Sequence, residues 1–424
     1  MKSPRSARRA VHRRIGEGRL RRSSAGFTIV ELMVALTAGL IAIGGIYAFT
    51  QNSTRYFTQQ TSIMETQQAV RVAFERLRRD IARAGFGGSP FALLERGGGH
   101  PSLRIQAVEI CEGEGAGRIP NESANGVHAD RLILTGNYET GDTYLAESLG
   151  SAGNQITFQH CWPAFQRAFG PPPDPSAGAP GYQVGICECN EERFNRVFQR
   201  DRLVHVKTRE GFHFFSRIDS ASACTVQLQD SIPVGTSRAG GIGEGAVVSP
   251  MSRIEYTVVS GAELGGAGLD HLVPTHDAAE ALGDIPAVLV RRELEFSETH
   301  CAPSTVRADT TEVILEYVAN FDLGAMVDVS VPPALPVLNF ETGALLETRS
   351  GGTAITNGPH QFRSLILDLA ARTPRSDTNF PWVTRAADAP LMRFQIRGGD
   401  VYAARVRSIR SEITLLNLFP ATRQ

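Results

Sequence analysis

The 424 residues are 42% apolar and 21% charged, a balance that argues against intrinsic disorder and leaves enough apolar sequence for a sizeable core. The formal charge of −1 conceals an asymmetry. The first 26 residues hold nine Lys/Arg against one acid, Glu17, so the remainder carries −9, from 34 basic and 43 acidic residues. An acidic remainder gives no support to nucleic acid as the main ligand.

The basic segment (1–26) runs directly into an apolar one. From Phe27 to Phe49 the chain is apolar or small apart from Thr28, Glu31 and Thr37. Twenty-three helical residues rise about 34 Å, enough to span a hydrocarbon core of about 30 Å. The basic flank sets the orientation: residues 1–26 stay cytoplasmic and everything after Phe49 faces the periplasm. A secretory signal has its small-residue cleavage site after the apolar stretch. Here the processing-like glycine, Gly26, stands before it, so cleavage leaves the span on the mature chain. Glu31 stands out in this setting, because a carboxylate in a membrane helix costs about 2.5–3.5 kcal/mol at the centre and less near an end.

No proline occurs between Pro4 and Pro90, so one helix is expected from about Phe27 to Ala84, with Gly85 as its C-terminal cap. Its second half (50–85) is amphipathic. Val70, Phe74, Leu77 and Ile81 form a stripe at helical spacing, while Arg71, Glu75, Arg78, Arg79 and Asp80 fall mostly on the other faces, with Glu75 and Arg79 as an i,i+4 pair. Gly39, Gly44 and Gly45 weaken the first half in water.

Residues 86–424 read as a β-rich head. Strands are expected at Leu103–Ile110, Arg131–Leu134, Leu203–Val206, Phe212–Phe215, Thr225–Leu228, Ile254–Val259, Ala287–Leu294 and Met392–Ile396. Strands following one helix predict an α+β chain with a mostly antiparallel sheet. The head exceeds one small domain, which leaves two lobes or a core enlarged by an insertion around 111–250. Gly170–Gly181, rich in proline, reads as an exposed loop.

The six cysteines, Cys111, Cys161, Cys187, Cys189, Cys224 and Cys301, all lie beyond the span and allow up to three disulfides in 15 pairings. Cys187 and Cys189 are too close to be comfortable partners. A metal reading of Cys187-x-Cys189 with His160 lacks a second paired motif, and no metal or cofactor is expected. Gly241–Ala246 matches G-x-G-x-x-A formally, but Ala246–Pro250 after it reads as a strand halted by proline, so it is a turn. The only lysines are Lys2 and Lys207, neither in a glycine-rich loop, which excludes a Walker A motif. No G-x-S-x-G occurs. His271, His276, Asp277 and Asp270 read as loop polarity, as do the acidic clusters at Glu112, Glu114 and at Glu188, Glu191, Glu192. Arg193, Arg196, Arg200 and Arg202 read as a solvated loop face. No catalytic constellation emerges, so the chain is not expected to be an enzyme.

The order of residues in Gly26-Phe27-Thr28-Ile29-Val30-Glu31 closely resembles the class III signal of type IV prepilins. The resemblance implies cleavage between Gly26 and Phe27 by a prepilin peptidase, N-methylation of Phe27, and pairing of Glu31 with the free α-amine of a neighbouring subunit. Arg76–Gly88, where an acidic-aliphatic turn leads into Ala84-Gly85-Phe86-Gly87, resembles the helix end of PilW-type minor pilins. Leu289–Leu294, Glu312–Val318, Phe362–Thr373 and Arg407–Asn417 are similar to sheet segments of that family, with Leu416-Asn417 where Arg-Asn is usual. What this implies is a minor pilin in an assembly-priming or tip complex, with other minor pilins and the major pilin as partners, in the inner membrane and then at the pilus tip or cell surface. A minor pseudopilin of type II secretion, of the GspJ kind, shares leader, helix and sheet. A tip-borne adhesin or binding module is a further alternative, with the inserted region as its binding surface.

Overall fold

The computed structural model of the chain describes residues 27–88, 106–115, 117–171, 187–209, 211–232, 243–266, 268–269, 271, 286–297, 299–330, 336–352, 358–386 and 389–418. Gly26 and the leader, residues 103–105, 172–181, Gly241, Asp270, His276 and Asp277 lie outside them. The architecture is α+β: one long N-terminal helix, then antiparallel sheets.

Helix α1 spans Ile29–Ala82 and is the one described helix long and apolar enough to cross a membrane. Residues up to Thr58 form a unit of their own, in which Phe27, Ile29, Leu32, Leu36, Ile41 and Phe49 are exposed. From Gln59 the helix belongs to the head unit, and there the apolar stripe Val70, Phe74, Leu77, Ile81 is buried, joined by Ala73 and Ala84. Glu75 pairs at 3.4 Å with Arg78, one residue nearer than the i,i+4 partner read from the sequence.

The end of α1 is fixed by named contacts. Gly85 adopts φ +74°, a left-handed conformation that terminates helices and suits glycine. Asn417 Nδ2 donates to the Ala82 and Ala84 carbonyls at 3.1 and 3.2 Å, satisfying groups a helix end leaves open. Gly87, at φ +75°, lies so close to Ser249 that a Cβ would come within 2.2 Å of its Oγ. The glycines after the helix are therefore there for backbone geometry and close approach.

The head follows in chain order with β1 (Val108–Cys111), α2 (Glu122–Asn125), β2 (Arg131–Gly136), β3 (Tyr144–Ser148), β4 (Gln155–Phe158), α3 (Pro163–Phe169), α4 (Glu191–Val197), β5 (Leu203–Lys207), β6 (His213–Ser222), β7 (Thr225–Leu228), β8 (Val247–Ser260), α5 (Gly261–Gly266), β9 (Ala287–Leu294), β10 (Glu312–Glu316), β11 (Val318–Asp328), β12 (Leu338–Thr342), α6 (Gly343–Ser350), β13 (Phe362–Arg372), β14 (Arg393–Phe394) and β15 (Ala404–Thr414). Strand β8 organises it. Its second half pairs with β2 and β9, whose outer neighbours are β1 and β10. Its first half pairs with β3 and β5, and the path β3–β4–β7–β6–β5 returns to β8. That path closes a small antiparallel barrel, which removes free edges. A separate sheet runs β12–β11–β13–β15–β14.

Two cores result. The larger joins α1 from Val70 onward to the inner faces of both sheets: Leu132, Leu134, Ile254, Tyr256, Leu289 on one, Phe321, Leu323, Leu367, Leu369, Val406 on the other. The smaller fills the barrel with Tyr144, Phe158, Phe165, Phe169, Phe194 and Phe198, whose neighbouring rings meet at centroid distances such as 5.0 Å for Tyr144–Phe169 and 4.6 Å for Phe194–Phe198. Aromatic pairs at such spacings add about 0.5–1.5 kcal/mol each beyond area burial.

Three readings need correction. The strand at Ala246–Pro250 does not stop at proline: β8 continues through Pro250 to Ser260. β3 pairs with β8 only at Val247 and Val248, and the pairing of β8 with β2 begins at Ser252. Pro250 therefore falls where one side of β8 has no ladder to lose, the position a strand proline tolerates. The expected strand Met392–Ile396 shrinks to β14, Arg393–Phe394. Asp80, read with the polar faces of α1, is buried.

Candidate functional site

Phe27 and Glu31 open α1. Thr28 stands at the N-cap: its carbonyl accepts from Leu32 N at 3.1 Å, and its Oγ1 accepts from Glu31 N at 3.2 Å. Glu31 reaches back, its Oε2 accepting from Thr28 N at 3.1 Å and from Thr28 Oγ1 at 3.0 Å. This reciprocal arrangement is a capping box, which satisfies two of the donors a helix start leaves open. The sequence reading missed it, although Thr-x-x-Glu was its signal. In a single chain the Glu31 carboxylate is thus held at the start of the helix, with Phe27 exposed beside it.

At the other end, Asp80 anchors α1 to the head. Its Oδ2 accepts from Arg291 Nε at 2.8 Å and from Tyr256 Oη at 2.8 Å, while its carbonyl accepts from Tyr138 Oη at 2.9 Å. Burial, with Asp80 adding to it, pushes the Tyr256 hydroxyl well above its ordinary pKa, so it stays a proton donor. Arg83 closes the same corner, donating to the carbonyls of Asn137 and Thr140 at 2.7 and 2.9 Å.

The face of the β2–β8–β9 sheet turned away from α1 carries a lattice of buried ion pairs. Glu255 sits between Arg131 and Arg292, and Glu109 holds Arg253 through both its oxygens. On the opposite face, two residues along β9 from Arg291, Glu293 holds Arg202 through both of its own. Arg202 therefore leaves the surface set read from the sequence. Arg196 pairs with Glu192, and Arg200 lies 3.7 Å from Asp201. Glu114 and Glu191 are likewise engaged, with Arg131 and with the Ala223 N–H. Such contacts fix geometry rather than add much net stability.

The cysteines join as Cys111–Cys301, Cys161–Cys187 and Cys189–Cys224. Cys187 and Cys189 go to different partners, and neither is left as a thiolate for a metal with His160. The first bond ties β1 to the loop after β9; the other two staple the barrel segment.

A buried histidine pair lies on the barrel's outer side. His205 Nε2 and His213 Nδ1 are 2.9 Å apart with the rings stacked. Burial, and for His205 the neighbouring His213, brings their pKa values down to about 3 and about 4. Both are thus neutral when folded and titrate near 6.5 when unfolded. The unfolded state binds more protons, so the pair's contribution is intact above about pH 6.5 and is lost as pH falls toward 4. Asp130, raised to about 6 by burial, works the other way, its contribution falling as pH rises from about 4 to 6. The expected result is a lower urea midpoint at pH 5 than at pH 7, with a smaller drop in His213→Gln. An equal drop in that variant would remove the pair as the cause.

The prokaryotic N-terminal methylation motif matches residues 21–47, a stretch that includes Gly26, Phe27 and Glu31. No curated protein and no solved structure matches the chain. The motif, the apolar helix behind it and the antiparallel head together support a type IV pilin-like or pseudopilin-like structural subunit, processed by a prepilin peptidase and anchored in a membrane by α1.

Proposed function

We propose that the protein is a minor pilin of the PilW kind, a structural subunit of the complex that primes type IV pilus assembly and sits at the fibre tip. The observation that carries this reading is the methylation motif over residues 21–47 at the entrance to an apolar helix. In this reading the leader through Gly26 remains cytoplasmic and is cut before Phe27, whose amine is then methylated. The span keeps α1 in the inner membrane, and the head matures in the periplasm, an oxidising compartment that suits three disulfides. A head of this size, with a barrel between β2 and β8, fits a terminal position better than a repeating shaft, where bulk obstructs packing. Other minor pilins and the major pilin are its partners.

A minor pseudopilin of type II secretion uses the same leader and helix. The Ala84-Gly85-Phe86-Gly87 turn favours the pilus, by its likeness to the helix end of PilW-type chains. The barrel favours a binding role carried on the tip, since its elements lie between two strands of the main sheet and pack around a hydrophobic cluster of their own. Loss of adhesion or ligand capture with normal piliation, on deleting the barrel segment, supports that addition.

Intact-mass and N-terminal peptide spectrometry on protein from native membranes tests the processing step. A chain beginning at N-methylated Phe27 is expected, and Gly26→Ala is expected to accumulate at the unprocessed mass. Normal maturation of Gly26→Ala, or a wild-type chain still carrying Met1 where the peptidase is active, overturns the reading.

A further inference from the structure

The Cys111–Cys301 disulfide has neighbours that the other two lack. Donor atoms of His300, Cys301 and Glu347 all lie within 4.8 Å of one another, the one such group of three or more candidate ligands among the described residues. Two separate elements deliver them: the loop after β9 brings His300 and Cys301, and α6 brings Glu347. Cys111, on β1, is outside that group and joins it through its bond to Cys301. The imidazole is oriented. Its Nδ1 faces two acceptors, Gln106 Oε1 at 3.1 Å and the Glu109 carboxylate at 3.5 Å. The ring proton therefore belongs on Nδ1, and Nε2 presents its lone pair. That Nε2 lies 3.2 Å from Cys301 Sγ and 3.2 Å from Ser350 Oγ. Gly351 leaves room for the ring, since a Cβ there would come within 2.8 Å of His300 Cδ2. Glu347 is positioned too, its Oε2 accepting from Glu112 N at 3.2 Å.

We propose that opening this disulfide creates a binding site for a divalent metal of the zinc class, with the Cys111 and Cys301 thiolates, His300 Nε2 and the Glu347 carboxylate as its four donors. Two sulfurs, one imidazole nitrogen and one carboxylate oxygen make a donor set suited to tetrahedral Zn²⁺. A ligating histidine whose other nitrogen donates to a carboxamide or carboxylate is the support such sites use, and it is already in place. Metal and disulfide exclude each other, because both need the same two sulfurs. Either one holds the loop after β9 against β1, so the metal substitutes for the cross-link while the pair is reduced. The chemistry balances with a phosphine reductant. Phosphine, disulfide and water give phosphine oxide and two thiols, two electrons passing from phosphorus to the S–S bond. The two thiols then release two protons as the metal binds.

Co²⁺ is the probe, added anaerobically to the full chain in detergent after phosphine reduction. The expected result is one Co²⁺ with a thiolate-to-cobalt charge-transfer band, absent from the unreduced chain and displaced by Zn²⁺. His300→Ala is expected to weaken binding by at least about tenfold, the scale seen when ligand support is lost. A chain carrying Cys161→Ser, Cys187→Ser, Cys189→Ser and Cys224→Ser is expected to keep the band. If that chain fails to fold, Cys301→Ser decides instead, and is expected to abolish the one-equivalent signal. Equal binding in His300→Ala, loss of the band from the folded four-serine chain, or persistence in Cys301→Ser overturns the site.

Discussion

Asp80→Ala is expected to destabilise the head by about 3–5 kcal/mol, because it leaves the Arg291 guanidinium without its buried partner. Arg291 is mostly enclosed, and its Nε points at the Asp80 carboxylate at 2.8 Å. Tyr256, which is fully buried, loses the same acceptor. An unsatisfied buried donor costs about 1–3 kcal/mol on its own. Both losses fall at the last turns of α1, where the helix meets the sheet, so the effect is large for one surface-looking residue of an amphipathic helix.

The double variant Asp80→Ala with Arg291→Met separates charge from packing. It removes the orphaned cation along with its partner and fills the space with an unbranched apolar chain, a replacement that for buried pairs is often close to neutral. It is therefore expected to recover much of the loss, read as the urea midpoint of the full chain in mild detergent with unchanged slope. A double variant as unstable as the single one would mean that Asp80 acts through something other than Arg291.

Asp80 also shows where sequence reading stops. The stripe Val70, Phe74, Leu77, Ile81 is legible because helical period is local, and the end at Gly85 because a left-handed cap has a residue preference. Strands β7 and β9 were bounded correctly by their own β-branched residues and flanking breakers. Asp80, flanked by Arg79 and near Arg78, looks like solvent polarity until Arg291, 211 residues further on, is brought beside it. Barrel closure has the same character. β3 and β5 both pair with the first half of β8, and such remote pairing leaves no trace in the period of any strand. The 15 cysteine pairings stayed open for that reason as well. Glu31 is the opposite case: Thr28-x-x-Glu31 was legible as a capping box, but the cost of a carboxylate in a membrane helix drew the whole explanation.

Those two explanations of Glu31 diverge in Glu31→Gln. A glutamine serves the third helical position of a capping box as glutamate does, so its side-chain oxygen can keep accepting from the Thr28 N–H. The helix start is expected to survive, and insertion becomes easier because a neutral side chain enters the bilayer at lower cost. What disappears is the negative charge. If Glu31 pairs with the Phe27 amine of the next subunit in a low-dielectric fibre core, Gln leaves that amine unpaired at a cost of about 3–5 kcal/mol. Three kcal/mol is roughly a hundredfold in affinity. Glu31→Gln is therefore expected to be processed and membrane-inserted normally, yet to fall roughly a hundredfold in co-purification with other pilin subunits. Glu31→Ala, which loses cap and charge together, is expected to fall at least as far. If Gln incorporates like wild type while Ala does not, Glu31 serves its own helix alone, and the register-setting contact between subunits must be sought elsewhere.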